Sequence, residues 1–160
     1  MTEQLQLDLA KALAHEEALV FDAFDEDIAL ELGLLIRSKA TAPIIVDIRR
    51  GEELVFFSAM PGTAPANADW ARRKRNLVNR IHTSSYVIGL WQKLGNDLVA
   101  SMALDPRDHT PHGGCFPIRV AGAGLVGTVT VSGLPQREDH KLATDCIAEL
   151  LGIDLGEARF

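Results

Sequence analysis

Two short stretches concentrate the side chains able to do chemistry. The first, His109-Thr110-Pro111-His112-Gly113-Gly114-Cys115-Phe116-Pro117, sets two imidazoles at HxxH spacing beside a diglycine. Neutral imidazole nitrogen suits a metal ion or an iron porphyrin. Two histidines in a proline-broken loop need not face each other, so a lone axial ligand is easier to satisfy than a chelate. Paired glycines let the backbone approach a bound molecule closely, or serve only a sharp entry into a strand. His112, Gly113 and Gly114 are the candidate ligand-binding positions here, with turn and packing roles as the alternative.

The second stretch is Arg72-Arg73-Lys74-Arg75, with Arg80 beyond it, the only dense positive patch in a chain of formal charge −6. Arg72 and Arg75 read as a solvated helix face. Arg73 and Lys74 fall three and four residues after Trp70, and Lys74 also precedes Leu77 and Val78 by three and four. Both cations therefore emerge beside the apolar stripe. From there they can snorkel over the core, pair with an acid, or reach a bound anion. Arg73 and Lys74 are the candidate partners of carboxylates, for which guanidinium is well shaped.

Two further motifs resolve on context. Gly122-x-Gly124-x-x-Gly127 matches the dinucleotide fingerprint by letter. That fingerprint works where its last glycine opens a helix, aiming backbone N–H groups at a pyrophosphate. Here Thr128-Val129-Thr130-Val131 follows, a β-branched run that reads as a strand, so the first glycines belong to a hairpin turn. His140 precedes Ala143 by three and Ile147 by seven, which turns it inward at a helix N-terminus. The dipole disfavours added positive charge there, and a neutral ring held by a carboxylate or a backbone carbonyl is expected. That corner would also offer free backbone N–H groups to an anion.

The elements that carry these residues follow from periodicity. Helical spacing covers 3–20 through Leu5, Leu9 and Leu13, and a second helix starts at Asp25, a good N-cap, and ends at Ala42-Pro43. Residues 44–50 and 53–59 read as strands about Gly51-Glu52, close enough that only an antiparallel hairpin joins them. A helix through Trp70, Leu77, Val78 and Ile81 is interrupted at Thr83-Ser84-Ser85, and another carries Val87, Ile88, Leu90, Trp91 and Leu94. Residues 95–114 resist assignment. Strands over 116–121 and 125–132 and a helix over 136–151 complete the chain. The expectation is an α+β fold of profilin-like or sensor-like type, a central antiparallel sheet of four to five strands backed by helices on one side.

At 160 residues the chain suits one domain, 1–160, large enough to bury a core without disulfide or metal staples. Its acidic balance repels phosphate backbones, which argues against nucleic acid. The start Met1-Thr2-Glu3-Gln4 lacks the basic and apolar regions of a signal peptide, and no apolar run of about 18 residues exists to span a membrane. Cys115 and Cys146 stand 31 positions apart, without CxxC spacing, and read as free thiols of a cytoplasmic protein.

The segments Gly114-Cys115-Phe116-Pro117-Ile118-Arg119-Val120, Gly124 to Gln136 and Asp139-His140 resemble the haem-degrading domain superfamily. This group includes glycolate-operon-type small proteins and haem-binding sensor proteins. Pro61-Gly62-Thr63, Trp70-x-Arg72-Arg73-Lys74 and Ser84-Ser85 look like its cytoplasmic branch. The resemblance spans nearly the whole chain, and it implies the α+β fold, a homo-oligomer, and haem or another tetrapyrrole as ligand. His112 matches the branch's His-Gly-Gly segment, while Cys115 stands where a third glycine is usual.

Together these readings predict a cytoplasmic, oligomeric binding protein for haem, a corrinoid or a similar anionic small molecule. His112, Gly113, Gly114, Arg73 and Lys74 would form its site. The alternatives are a non-catalytic assembly or adaptor protein, and a small enzyme acting on a carboxylate metabolite with His112 or His140 as acid/base.

Overall fold

The structure, a computed structural model, describes residues 1–160. Helix α1 spans Thr2–Ala18 and α2 spans Glu26–Lys39. Asp25 caps α2 as its sequence context predicts, its carboxylate accepting from the Ile28 N–H at 2.9 Å. Strands β2 (Ile45–Arg50) and β3 (Glu53–Ala59) form the first hairpin, turning at Gly51 with φ of 58°. Helix α3 (Pro65–Ile81) starts on a proline, whose missing N–H costs nothing there, and α4 (Ser85–Lys93) starts at Ser84, whose hydroxyl accepts from Val87 N–H. The unassigned stretch 95–114 contains one short helix, α5 (Leu98–Ser101). Strands β4 (Cys115–Val120) and β5 (Gly124–Ser132) lead into α6 (Gln136–Leu151), and a 3-10 turn, Gly156–Ala158, closes the tail. Gly122 and Gly124 have φ of 79° and 78° at the β4–β5 turn, as the hairpin reading of the glycine motif requires.

With β1 at Val20–Phe21, the sheet has five strands in the order β1-β4-β5-β2-β3. Three of its pairings are antiparallel, as expected. The fourth is not: β1, only Val20–Phe21, runs parallel to β4, with Val20 opposite Arg119. Two residues are too few to show a period, so nothing local announced this edge strand.

Helices cover both faces of the sheet, which corrects the one-sided expectation. Along β2, Val46 and Ile48 join Phe116, Ile118, Val129 and Val131 in the main core under α2 and α6, contributed by Leu32, Ile36, Ala143 and Ile147 among others. Asp47, between them, points to the opposite face by strand alternation and meets Arg75 of α3 at 3.2 Å. A separate small core, Leu77, Ile88 and Val99, joins α3, α4 and α5. The second face is polar beneath α3, where Asp47, Thr130 and Cys115 pair across neighbouring strands. Cys115 and Cys146 are free and buried, and burial pushes both thiols up to about 12.

Two surface expectations also change. Arg75, read as solvated, is largely covered and bridges α3 to β2 through Asp47, while Arg72 stays at the surface with Asp69 and Asp108. In α1 the buried positions are Asp8, Ala12 and His15, and Leu13 is exposed. The helix docks through Leu5, Leu9 and Ala12, packed on Tyr86, Val87 and Leu90 as the spacing predicts, and also through Asp8 and His15, which hydrophobic periodicity does not mark.

Ile147 is fully buried where α6 meets the sheet. Ile147→Ala is expected to cost about 2–5 kcal/mol, read as a lowered urea midpoint at unchanged m-value.

Candidate functional site

The site is built on a buried ion pair. Lys74 leaves α3 at its sheet-facing edge, and its Nζ donates to Asp139 Oδ2 at 2.9 Å and to the Val131 carbonyl at 3.1 Å. The two side chains are 4% and 2% exposed, so the pair is fully desolvated. Asp139 sits in the first turn of α6, where its other oxygen accepts the Leu134 N–H at 2.9 Å. Burial pushes this carboxyl above its ordinary value against the pull of Lys74. One ammonium therefore ties together α3, the end of β5 and the start of α6.

The diglycine makes that junction possible. Gly114 has φ of 137°, and a Cβ there would lie 2.3 Å from the Val131 carbonyl oxygen and 2.7 Å from Lys74 Nζ. A Cβ on Gly113 would meet the Gln136 carbonyl oxygen at 2.5 Å and the Tyr86 ring at 2.7 Å. The close approach expected of these glycines is real, but the space they leave is taken by the protein itself. Both support the wall of the site from behind.

In front of the pair lies a cleft of about 210 Å³, lined by Asn67, Trp70, Lys74, His112, Gln136 and Asp139 together with the Ser132–Leu134 turn. His112 stands at its rim, stacked on Trp70 with ring centroids 5.0 Å apart and planes 13° from parallel. No protein hydrogen bond contributes to its titration. Burial lowers its pKa first, then the neighbouring charges of Lys74 and Arg73, and the ring is held neutral with its nitrogens available. Arg73 diverges from Lys74. Its guanidinium lies 4.5 Å over the Trp70 ring and donates to the Pro106 carbonyl at 2.7 Å, beside a separate shallow groove with Asp69 and Arg107. His109 does not join His112 either, since its Nδ1 is turned to the Asp105 carbonyl at 3.0 Å.

Of the residues singled out by sequence, Lys74 and His112 thus line one cleft, Gly113 and Gly114 back it, and Arg73 sits beside it on the shared indole. Sequence reasoning missed Trp70 as a platform, Gln136, which accepts the Gly113 N–H, and Asp139 as the partner of Lys74. Asp139 carried a signal, an acid in the first helical turn, but helix-dipole logic explains that position without any partner. A second groove of about 590 Å³ runs along α6 between Lys39, Lys141, Asp145 and Glu149. It is larger, but neither an imidazole nor an indole lines it.

The cleft also sets how a tetrapyrrole would fit. Cavities that enclose a drug-sized ligand run to about 300–1,000 Å³, so this one cannot swallow a macrocycle. It has room for a carboxylate arm beside Lys74, while the neutral His112 ring and the Trp70 face lie at the mouth. The donor set suits a tetrapyrrole held at its edge.

A five-stranded sheet with helices on both faces, and a small cleft over the Lys74–Asp139 pair at the β5–α6 corner, defines the class as α+β. The chain belongs to the HbpS-like family: the model described as haem degrading protein HbpS-like matches residues 24–148. It is 46% identical over 151 residues to a UPF0303 protein of Acidobacterium capsulatum, covering 92% of each chain. Among solved structures, the Ybr137w protein superposes with a TM-score of 0.80 at 25% identity, over 90% of this chain and 87% of that one. The structure of a PduOC:heme complex shares the fold with a TM-score of 0.67 at 18% identity, over 79% of this chain and 94% of that one.

Removing one partner of the buried pair leaves an uncompensated charge. Lys74→Met is expected to lose about 3–5 kcal/mol of stability, and the double variant Lys74→Met/Asp139→Leu to recover most of it in urea unfolding.

Proposed function

We propose that the chain is a cytoplasmic, homo-oligomeric binding protein whose Lys74–His112 cleft takes haem, another tetrapyrrole or a similar planar anionic molecule at its mouth. The observation that carries this reading is His112, a neutral imidazole free of protein hydrogen bonds at the rim of a cleft with a buried ammonium at its back. His112 supplies a nitrogen donor to a ring-bound metal, Lys74 has a third N–H to give a carboxylate, and Trp70 steadies the His112 ring by stacking on it. Arg73, on the same indole, is placed for a second carboxylate outside the cleft. Gly113 and Gly114 keep Lys74 and His112 in place by letting the strand entry press against Lys74 and Gln136. The haem in the PduOC complex and the family's description support the ligand class. The bound metal would supply an open coordination position, and this chain's part is to hold and orient the ring.

The cleft volume favours a second reading, a small carboxylate metabolite bound without any ring. Haemin added to the purified protein separates the two. A Soret shift saturating at about one equivalent per chain and lost in His112→Ala supports the tetrapyrrole. A shift that survives both His112→Ala and His109→Ala removes the imidazole role. Absence of a shift, with calorimetric binding of a short-chain carboxylate instead, leaves the second reading.

Assembly has an available surface. The outer edge of β3 is unpaired and exposes Leu54 and Phe57, 48% and 47% accessible, and α2 beside it exposes Leu30 and Leu34. Unprotected apolar edges of this kind pair with other chains. Leu54→Lys/Phe57→Lys is expected to lower the sedimenting mass, and an unchanged mass would place the interface elsewhere.

A further inference from the structure

The buried histidines on α1 and α6 form a unit that the cleft does not use. His15 Nε2 lies 2.7 Å from the Ala158 carbonyl oxygen, which only accepts, so Nε2 carries its hydrogen. His15 Nδ1 is then the bare nitrogen of a neutral ring, and it lies 3.1 Å from His140 Nε2, which must donate to it. By elimination His140 Nδ1 is unprotonated, and this atom is sealed from solvent with no partner. Four ring nitrogens share two hydrogens, and each position but one is committed.

The same unit holds the tail. Ala158 is fixed by His15, the Arg159 carbonyl accepts from Lys11 Nζ at 2.8 Å, and the Phe160 ring stands edge-on to His15 at 5.2 Å, Tyr86 at 5.7 Å and His140 at 5.8 Å. The Arg137 guanidinium lies 4.4 Å from the Phe160 centroid. We propose that the His15–His140 pair is a proton-operated latch on residues 155–160, closed while both rings are neutral and released when the pair takes up a proton.

An incoming proton has one place to go, His140 Nδ1, which is surrounded by the rings of Tyr86, Phe116 and Phe160. The charges facing the pair do not help it. Arg137 opposes a positive His140; Lys11 and Lys141 oppose a positive His15, and Asp145 alone favours it. Asp8 is occupied by Gln4, Tyr86 and Arg137. No carboxylate is hydrogen-bonded to either imidazole, so the charged pair needs water, and the segment that must give way is the one bonded to His15 through Ala158 and packed on both rings through Phe160. Burial holds both rings below the ordinary histidine value, in keeping with this arrangement. A pair neutral in the latched state and titrating near 6.5 when released binds more protons once released, so the latch is firm above about 6.5 and weakens as pH falls below it.

Hydrogen exchange of the full chain between pH 7.5 and 5.5 tests this. After correction for intrinsic rates, the Ala158 and Arg159 amides, bonded to the Leu155 and Gly156 carbonyls, are expected to open up to about tenfold more per pH unit below 6.5. The Val131 amide in β5 should keep its protection over the same range. His15→Gln/His140→Phe keeps an amide donor for Ala158 and no imidazole, and its tail should exchange independently of pH. Should that variant fail to fold, the wild-type His15 and His140 ring resonances must titrate in step with tail opening. Joint loss of tail and β5 protection, a tail still protected at pH 5.5, or an unaltered pH response in the double variant would each overturn the latch.

Discussion

Everything at the β5–α6 corner depends on one ammonium drawn out of water. Lys74 and Asp139 are fully enclosed, and neither is tolerable there without the other. The attraction between them fixes the distance between a helix on one face of the sheet and a helix rooted on the other, with the Val131 carbonyl between. It also demands small neighbours, because the strand entering at Cys115 must pass within contact of the ammonium. Gly114 meets that demand, and its φ of 137° is one that a residue with a side chain rarely adopts.

The same pair also forms the back of a cleft. The cleft in front of the pair has the paired ammonium at its back and the stacked Trp70 and His112 rings in its wall, and it is too small to enclose a macrocycle. Such a shape leaves the larger part of any planar ligand outside the protomer. Residues flanking the mouth, or those of a neighbouring subunit, would then share the ligand's outer face.

The fold was largely legible because its main elements are long and periodic. The two hairpins, the capped α2 and the stripe of α6 all follow from local rules, and the glycine motif resolved as a turn from the β-branched run after it. Failures share a cause. β1 has two residues, α5 has four, and in α1 the buried Asp8 and His15 lie outside the apolar stripe of Leu5, Leu9 and Ala12. Arg75 was assigned to solvent because charge usually belongs there, and only Asp47, some 28 residues earlier in the chain, explains its burial.

By itself the sequence determined the long helices and the two hairpins, that an imidazole would stand beside a glycine bend, and that His140 turns inward uncharged. Those properties depend on neighbours within a few residues. The tertiary structure decided which polar side chains are spent on the protein: Lys74 on Asp139, Arg75 on Asp47, His140 on His15. Each of these pairs joins segments far apart in the chain, and the desolvation that gives them their strength exists only once the layers have closed around them.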